Sequence, residues 1–177
     1  PYHRLVTELF LGAARLAKWV QDPFSADFMS ILRRMVNYHY RVLRPDGKMP
    51  IVGDCDDGRL HILSDYGDWD PQDGLHLLGP AGFLFSESRW MPGSGDIAQW
   101  EAFWWGYPKS DPIPRRELDD AVALFPNAGV ATARNVAGNY LLVTNSIVGT
   151  GGFGNHKHND QLSFEYHQRG VPILIDS

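Results

Sequence analysis

The sequence predicts an α+β chain of more than one domain, with helices first and an antiparallel sheet second. Three observations lead there. Apolar residues recur at three and four through residues 5–43, the period of an amphipathic helix. Three prolines fall within the seven residues 108–114, a linker by composition. Beyond that stretch, segments rich in Val, Ile, Leu and Tyr alternate with breaks rich in Gly and Asn, as in a series of strands and turns.

The first helix rests on Leu5, Val6, Leu9, Phe10, Ala13, Leu16, Ala17 and Val20. Asp22-Pro23 is expected to stop it and to cap a second, with Asp at the N-cap and Pro at the first helical position. The second helix sets Phe28, Ile31, Leu32, Met35, His39, Val42 and Leu43 on one side and ends before the turn Pro45-Asp46-Gly47. A loop rich in Gly and Asp follows at 53–58. A third helix is expected over 70–85 despite its glycines, and a short aromatic one over 96–105 with Trp100, Phe103, Trp104 and Trp105. Four strands are expected at 129–135, 140–148, 161–168 and 171–175, the last two joined through Gln168-Arg169-Gly170 as a hairpin. The domain reading is 1–107 helical, 108–127 linker and 128–177 sheet. A sheet of four strands ending in an apolar one leaves an edge or face open, so further strands are expected. With an opening at Pro1 rather than Met, the expectation is a piece of a longer protein.

Composition narrows the function. The chain has 177 residues, 44% of them apolar and 21% charged, enough to bury a core. No run approaches the roughly 18 apolar residues of a membrane span. The net charge is −5 and Lys and Arg form no block, which argues against nucleic acid as a partner. The single Cys55 rules out an intrachain disulfide framework and a Cys-rich zinc site.

The segment 149–177 carries the chemistry. A glycine-rich run, GTGGFGN, leads into His156-Lys157-His158-Asn159-Asp160 and then a strand. On an extended backbone residues two apart face one side, so His156 and His158 present two imidazoles together. Such a pair binds a metal, or divides into a ligand and an acid/base group, or is simply a solvated loop. The hairpin brings 171–175 back along 161–168 and can place Asp176 near His158; an imidazole and a carboxylate make half of a zinc site. Elsewhere, Asp54, Asp56 and Asp57 suggest calcium, but an EF-hand needs Gly at its sixth position and that position is Arg59. Arg59 can bind a substrate carboxylate, or pair with the neighbouring Asp residues, which the sequence favours. The Trp100–Trp105 aromatics can stack on sugars, although at helical spacing such residues usually form core.

The string GGFGNHKHNDQLSFEYHQRGVPILIDS resembles the heparinase II/III-like polysaccharide lyases, whose β-domain opens with a glycine-rich loop, H-x-H-N-D, a strand S-F-E and a G-x-P-(apolar)-D segment. Upstream, RPDGKMPIVGDCDDGR resembles that family's loop between toroid helices, and PYHRLVTELFL its helix with a Tyr-His pair. The three stretches stand in the family's order. The resemblance implies a partial (α/α) toroid of helical hairpins followed by the first strands of an antiparallel β-sandwich. It implies a carbon–oxygen lyase that cuts uronic-acid-containing, anionic polysaccharide by β-elimination, in the periplasm or outside the cell. By that resemblance Tyr2 and His156 are the catalytic acid–base pair, while His158 and Asp176 bind a structural zinc whose third ligand lies outside this chain. The carboxylate-neutralising residue would also lie outside it, and His3 is unassigned. Arg4, Arg33, Arg34, Arg59 and Lys157 are candidates for lining an anionic-substrate cleft in this acidic chain. Two other classes remain. A toroid glycoside hydrolase would depend on Asp54 or Asp56, and a non-catalytic glycan-binding or polysaccharide-processing accessory protein would tolerate loss of Tyr2 and His156.

Overall fold

The computed structural model describes residues 2–53, 58–64, 70–91, 97–108, 119–147 and 161–175. The chain divides into two units, each treated by itself: Pro1–Tyr40 with Asp57–Glu117, and Arg41–Asp56 with Leu118–Ser177.

The first unit is helical. α1 spans Tyr2–Trp19, α2 Ala26–Val42, α3 Leu78–Phe85 and α4 Ile97–Trp104. α1 ends two residues before Asp22-Pro23. Gln21 takes a left-handed φ of 63°, its N–H donates to Lys18 O, and Asp22 N–H donates to Ala17 O, the double closure of a Schellman motif. The N-cap of α2 is Ser25, not Asp22: its Oγ accepts from Phe28 N–H at 3.3 Å. The third helix is half the expected length. Asp70 and Asp73 each turn a carboxylate onto the N–H two residues ahead, Gln72 at 2.8 Å and Leu75 at 2.9 Å, and these side-chain turns displace helix until Leu78. α4 closes through Gly106, whose φ of 76° permits Gly106 N–H to Phe103 O and Tyr107 N–H to Ala102 O.

α1 buries a different stripe from the one its apolar pattern suggests. Arg4, Thr7, Glu8, Leu11 and Ala14 face inward, whereas Leu9, Leu16 and Val20 are exposed. The core of the unit also takes Leu32, Val36, His39 and Tyr40 from α2, Leu77, Leu78, Ala81 and Leu84 around α3, and Trp90.

The second unit is a five-stranded antiparallel meander in the order β1-β2-β3-β4-β5: Ala121–Phe125, Val130–Arg134, Tyr140–Thr144, Ser163–Gln168 and Val171–Leu174. One strand more is present than the sequence suggests, since β1 lies inside the stretch read as linker. β4 and β5 are joined by Arg169 and Gly170, both at positive φ (52° and 79°), the two-residue turn that matches strand twist. Residues 41–53 also belong to this unit. Tyr140 donates its hydroxyl to Val42 O at 2.6 Å, Arg134 reaches Arg41 O and Leu43 O, and Ile51 N–H donates to Glu165 Oε1 at 3.0 Å.

Register sorts the two faces of the sheet. Val130, Thr132, Arg134, Tyr140, Leu142, Thr144, Glu165 and His167 share the buried face. Val122, Leu124, Leu141, Val143 and Phe164 share the other, and all are exposed. The sheet thus covers its more polar side and leaves its apolar side open, the reverse of a sheet complete in itself.

Candidate functional site

Tyr2, the expected catalytic residue of the helical half, is the first residue of α1 and is 49% exposed. The next residues of α1 point inward. His3 Nε2 lies 3.0 Å from Met35 O, and its ring meets Tyr38 edge-on at 4.7 Å; burial holds its pKa below the ordinary value despite the carbonyl contact. Thus His3 is held against α2. His156, His158 and Asp176 lie outside the described residues, as do Asp54, Asp56, Asp57 and Lys157. The antiparallel β4–β5 pair, on which the nearness of His158 and Asp176 was argued, is present, with Tyr166 opposite Leu174.

Beneath the N-terminal half of α1 lies a buried ionic network that the sequence reading missed. Glu8 accepts from Leu60 N–H at 2.8 Å and from His61 N–H at 2.9 Å, one on each oxygen. His76 sits between two carboxylates, its Nε2 3.7 Å from Glu8 Oε2 and its Nδ1 3.4 Å from Asp73 Oδ2. Arg59 donates from Nη2 to Glu101 Oε1 at 2.6 Å and from Nε to His61 O at 3.2 Å, and that Glu101 oxygen also accepts from Ser64 N–H and Oγ. Arg4 donates to Asp73 O at 2.9 Å. Burial alone would lower the His76 pKa and raise those of Glu8 and Asp73. The facing opposite charges, with the loop N–H groups on the carboxylates, win in each case: His76 is raised and both acids are lowered. His39 has no carboxylate to help it. Burial drives its pKa from 6.5 down to about 3, although its Nε2 lies 2.6 Å from Gly74 O.

The charged side chains of this network other than Asp73 are nearly or fully buried, so it does not meet a polymer. Its work is to nail the loop 58–64 and the turn 70–76 onto α1 and α4. One expectation falls with it: Arg59 is buried against Glu101 and Arg4 donates to Asp73 O, so neither lines an open cleft. Arg33 is tied to Glu87. A signal was present in α1: Arg4, Thr7, Glu8 and Leu11 recur at three and four as regularly as the apolar set does. The distant partners of Glu8 carry no such signal.

In the second unit, Glu165 of the S-F-E strand holds the 44–53 segment to β4. Its Oε1 takes Ile51 N–H, and its Oε2 lies 4.0 Å from Arg44 Nε, whose Nη2 reaches Asp46 at 2.7 Å. His167, on the same face, is buried edge-on to Tyr140 at 5.6 Å; burial and then the Arg44 charge hold its pKa down. Among the described residues no group of three His, Cys, Asp or Glu is placed to hold a metal, and no helix is long and apolar enough to cross a membrane.

The aromatic helix departs from the core reading. Trp100 is 44% exposed, Phe103 44% and Trp104 60%.

Residues 118–177 match the family model described as "Heparinase II/III-like, C-terminal". No curated protein sequence matches the chain. Among solved structures it is similar to a heparinase III, the BT4657 gene product, at 15% identity and a TM-score of 0.64. It is also similar to the heparan sulfate lyase HepC of Pedobacter heparinus, at 18% identity and a TM-score of 0.63. Each comparison covers 99% of this chain and 24% of the other, so the chain spans about a quarter of the length of the structures it matches. At these identities the likeness shows the fold.

Proposed function

We propose, from a chain whose residues 118–177 match the heparinase II/III-like C-terminal family model, that the protein is a lyase cutting anionic, uronate-containing polysaccharide by β-elimination. The observation that carries this reading is the placement of the His156–Asp160 motif, directly before strand β4 and inside the matched segment. The heparinase III and heparan sulfate lyase among the similar structures support the substrate class. A polymer of that size is met outside the cytoplasm, in the periplasm or beyond the cell.

The chemistry assigns each group a task. The C5 proton of a uronate is weakly acidic. Its removal leaves an electron pair that forms the C4=C5 double bond as the C4–O bond breaks, and the departing oxygen takes a proton. Tyr2 and His156 serve as the base at C5 and the acid at the leaving oxygen. The carboxylate at C6 needs neutralising by a further group, which by the family resemblance would lie outside this chain. Tyr2, the first residue of α1, is half exposed, which is compatible with contact to a substrate.

His158 and Asp176 would hold zinc. An imidazole and a carboxylate suit that ion, and a third protein ligand would come from outside the chain. The metal would brace the sheet and take no part in proton transfer. The test is turnover by the full-length protein on heparan, hyaluronan, chondroitin and alginate-type polymers, read as the new absorbance of unsaturated uronate ends. Cleavage that releases reducing ends without that absorbance, and that survives His156→Ala but not Asp54→Ala, would instead make the protein a hydrolase. No turnover on any polymer, with binding retained, would make it an accessory protein.

A further inference from the structure

We propose a second glycan-binding site on the helical unit, a groove at the C-terminal end of α1 that takes sugar units of an anionic polysaccharide. The groove has a volume of about 570 Å³ and is formed by Gly12, Arg15, Leu16 and Trp19 of α1, His61 and Leu63 of the loop, and Trp104, Trp105 and Gly106 at the end of α4. That volume lies in the range of small-ligand sites.

Three observations select the occupant. Trp19 and Trp104 are 74% and 60% exposed, so indole faces are available to the apolar C–H faces of pyranose rings. The charge is complementary: among the described residues the lining includes a guanidinium and an imidazole and no carboxylate, in a chain of net charge −5. The walls are also fixed in advance. Glu8 holds the N–H of His61, Arg59 holds its carbonyl, and Glu101 holds Ser64, so the buried network fixes the loop. Arg15 donates to Trp105 O at 3.1 Å and Gly106 O at 3.0 Å, a cation on the C-terminus of α4 that anchors the two tryptophans to α1. A site built on rigid walls spends little of its binding energy on ordering itself.

Trp19 lies at the other end of α1 from Tyr2, about 25 Å along the helix at 1.5 Å per residue. The groove therefore binds a stretch of polymer remote from the catalytic tyrosine and retains the chain between cuts. The inference rests on the lyase reading for the choice of probe and for the retention of polymer between cuts, and on the groove alone for binding itself.

The experiment compares the full-length Tyr2→Phe protein with Tyr2→Phe carrying Trp19→Ala and Trp104→Ala, by titration with heparan sulfate oligosaccharides and with a neutral glucan. The expected result is at least a tenfold loss of affinity for the heparan oligosaccharides, weak binding of the glucan to both proteins, and an unchanged melting temperature because both side chains are exposed. Equal affinity in the two proteins overturns the proposal, as does a glucan bound as tightly as the anionic chain. Acrylamide quenching supplies a second measurement. If Trp19 and Trp104 are shielded and their replacement lowers the melting temperature, polypeptide or a second copy fills the groove and the glycan is excluded. The lyase reading fails separately, if the unmodified full-length protein releases no unsaturated ends from any uronate polymer, and the binding comparison between two proteins sharing the Tyr2→Phe change is unaffected.

Discussion

The buried ionic groups of the helical unit set its response to substitution and to pH. Arg59 and Glu101 are both desolvated, so removing Glu101 takes from a buried guanidinium a carboxylate held at 2.6 Å. Glu101→Ala is expected to cost about 3–5 kcal/mol, read as a shift in the urea midpoint. The two buried histidines respond to pH with opposite sign. His39 is neutral in the fold, with a pKa of about 3 against 6.5 when unfolded, so its contribution is complete above pH 6.5 and is lost as pH falls toward 3. The His76 pKa is raised, so its contribution is present below 6.5 and is lost as pH rises through the folded value. The melting-temperature deficit of His76→Gln should therefore be larger at pH 6 than at pH 9, and that of His39→Gln larger at pH 8 than at pH 5. The reverse order would show the protonation states to be misassigned. None of this was legible in the sequence. His39 reads as one member of an apolar stripe, and Glu8 and Arg59 meet partners that no local spacing reveals. Tyr2 came into view only through the order of three motifs, whereas His156 already stood out beside His158 behind the glycine-rich run. Tyr2→Phe should lower turnover by at least about a hundredfold with zinc retained, and His158→Ala should release the zinc.

At the scale of elements, helix existence and strand alternation were legible and boundaries were not, because side-chain hydrogen bonds compete with periodicity. Asp70 and Asp73 look like first-turn helix residues and act as turn formers instead, and Ser25 outcompetes Asp22 as a cap. The β1–β2 connection shows what one position can demand. Gly129 has a φ of +62°, and a Cβ there would stand 2.4 Å from Asn145 O, while Asn145 N–H donates to Gly129 O at 2.6 Å. Gly170 has a φ of +79° with nothing within 4 Å of an added Cβ. Gly170→Ala therefore meets only the left-handed backbone penalty of about 1–2 kcal/mol. Gly129→Ala meets that penalty and a clash with main chain, and should destabilise the sheet clearly more. Urea midpoints of the two variants decide it, and equal losses would show that the Asn145 strand gives way freely.

For the whole molecule, the order of helices then antiparallel sheet was legible from the change in apolar period at the proline-rich stretch. Which sheet face is buried was not. Alternation marks two faces, and a sequence does not say which one has something to cover it. Here residues 41–53 cover the side bearing Thr132, Arg134, Glu165 and His167, and bind it through hydrogen bonds to their own backbone. Val122, Leu124, Val143 and Phe164 on the opposite side stay open, an apolar surface of the kind two packed sheets share about 10 Å apart. Left bare, such a surface drives association. The 177-residue chain produced alone is therefore expected to self-associate and to show no lyase turnover. Leu124→Lys with Phe164→Lys separates the two situations. In the isolated chain the pair should raise solubility at little cost, because both positions face water. In the full-length protein, where a second sheet would cover them, the same pair should bury two unpaired ammonium groups and lower the melting temperature by well over ten degrees or prevent folding. Light scattering on the short chain and a thermal melt of the long one make the comparison. A full-length protein that accepts both lysines unchanged would mean that this face is solvent-exposed there too, and that the sheet is not one half of a sandwich.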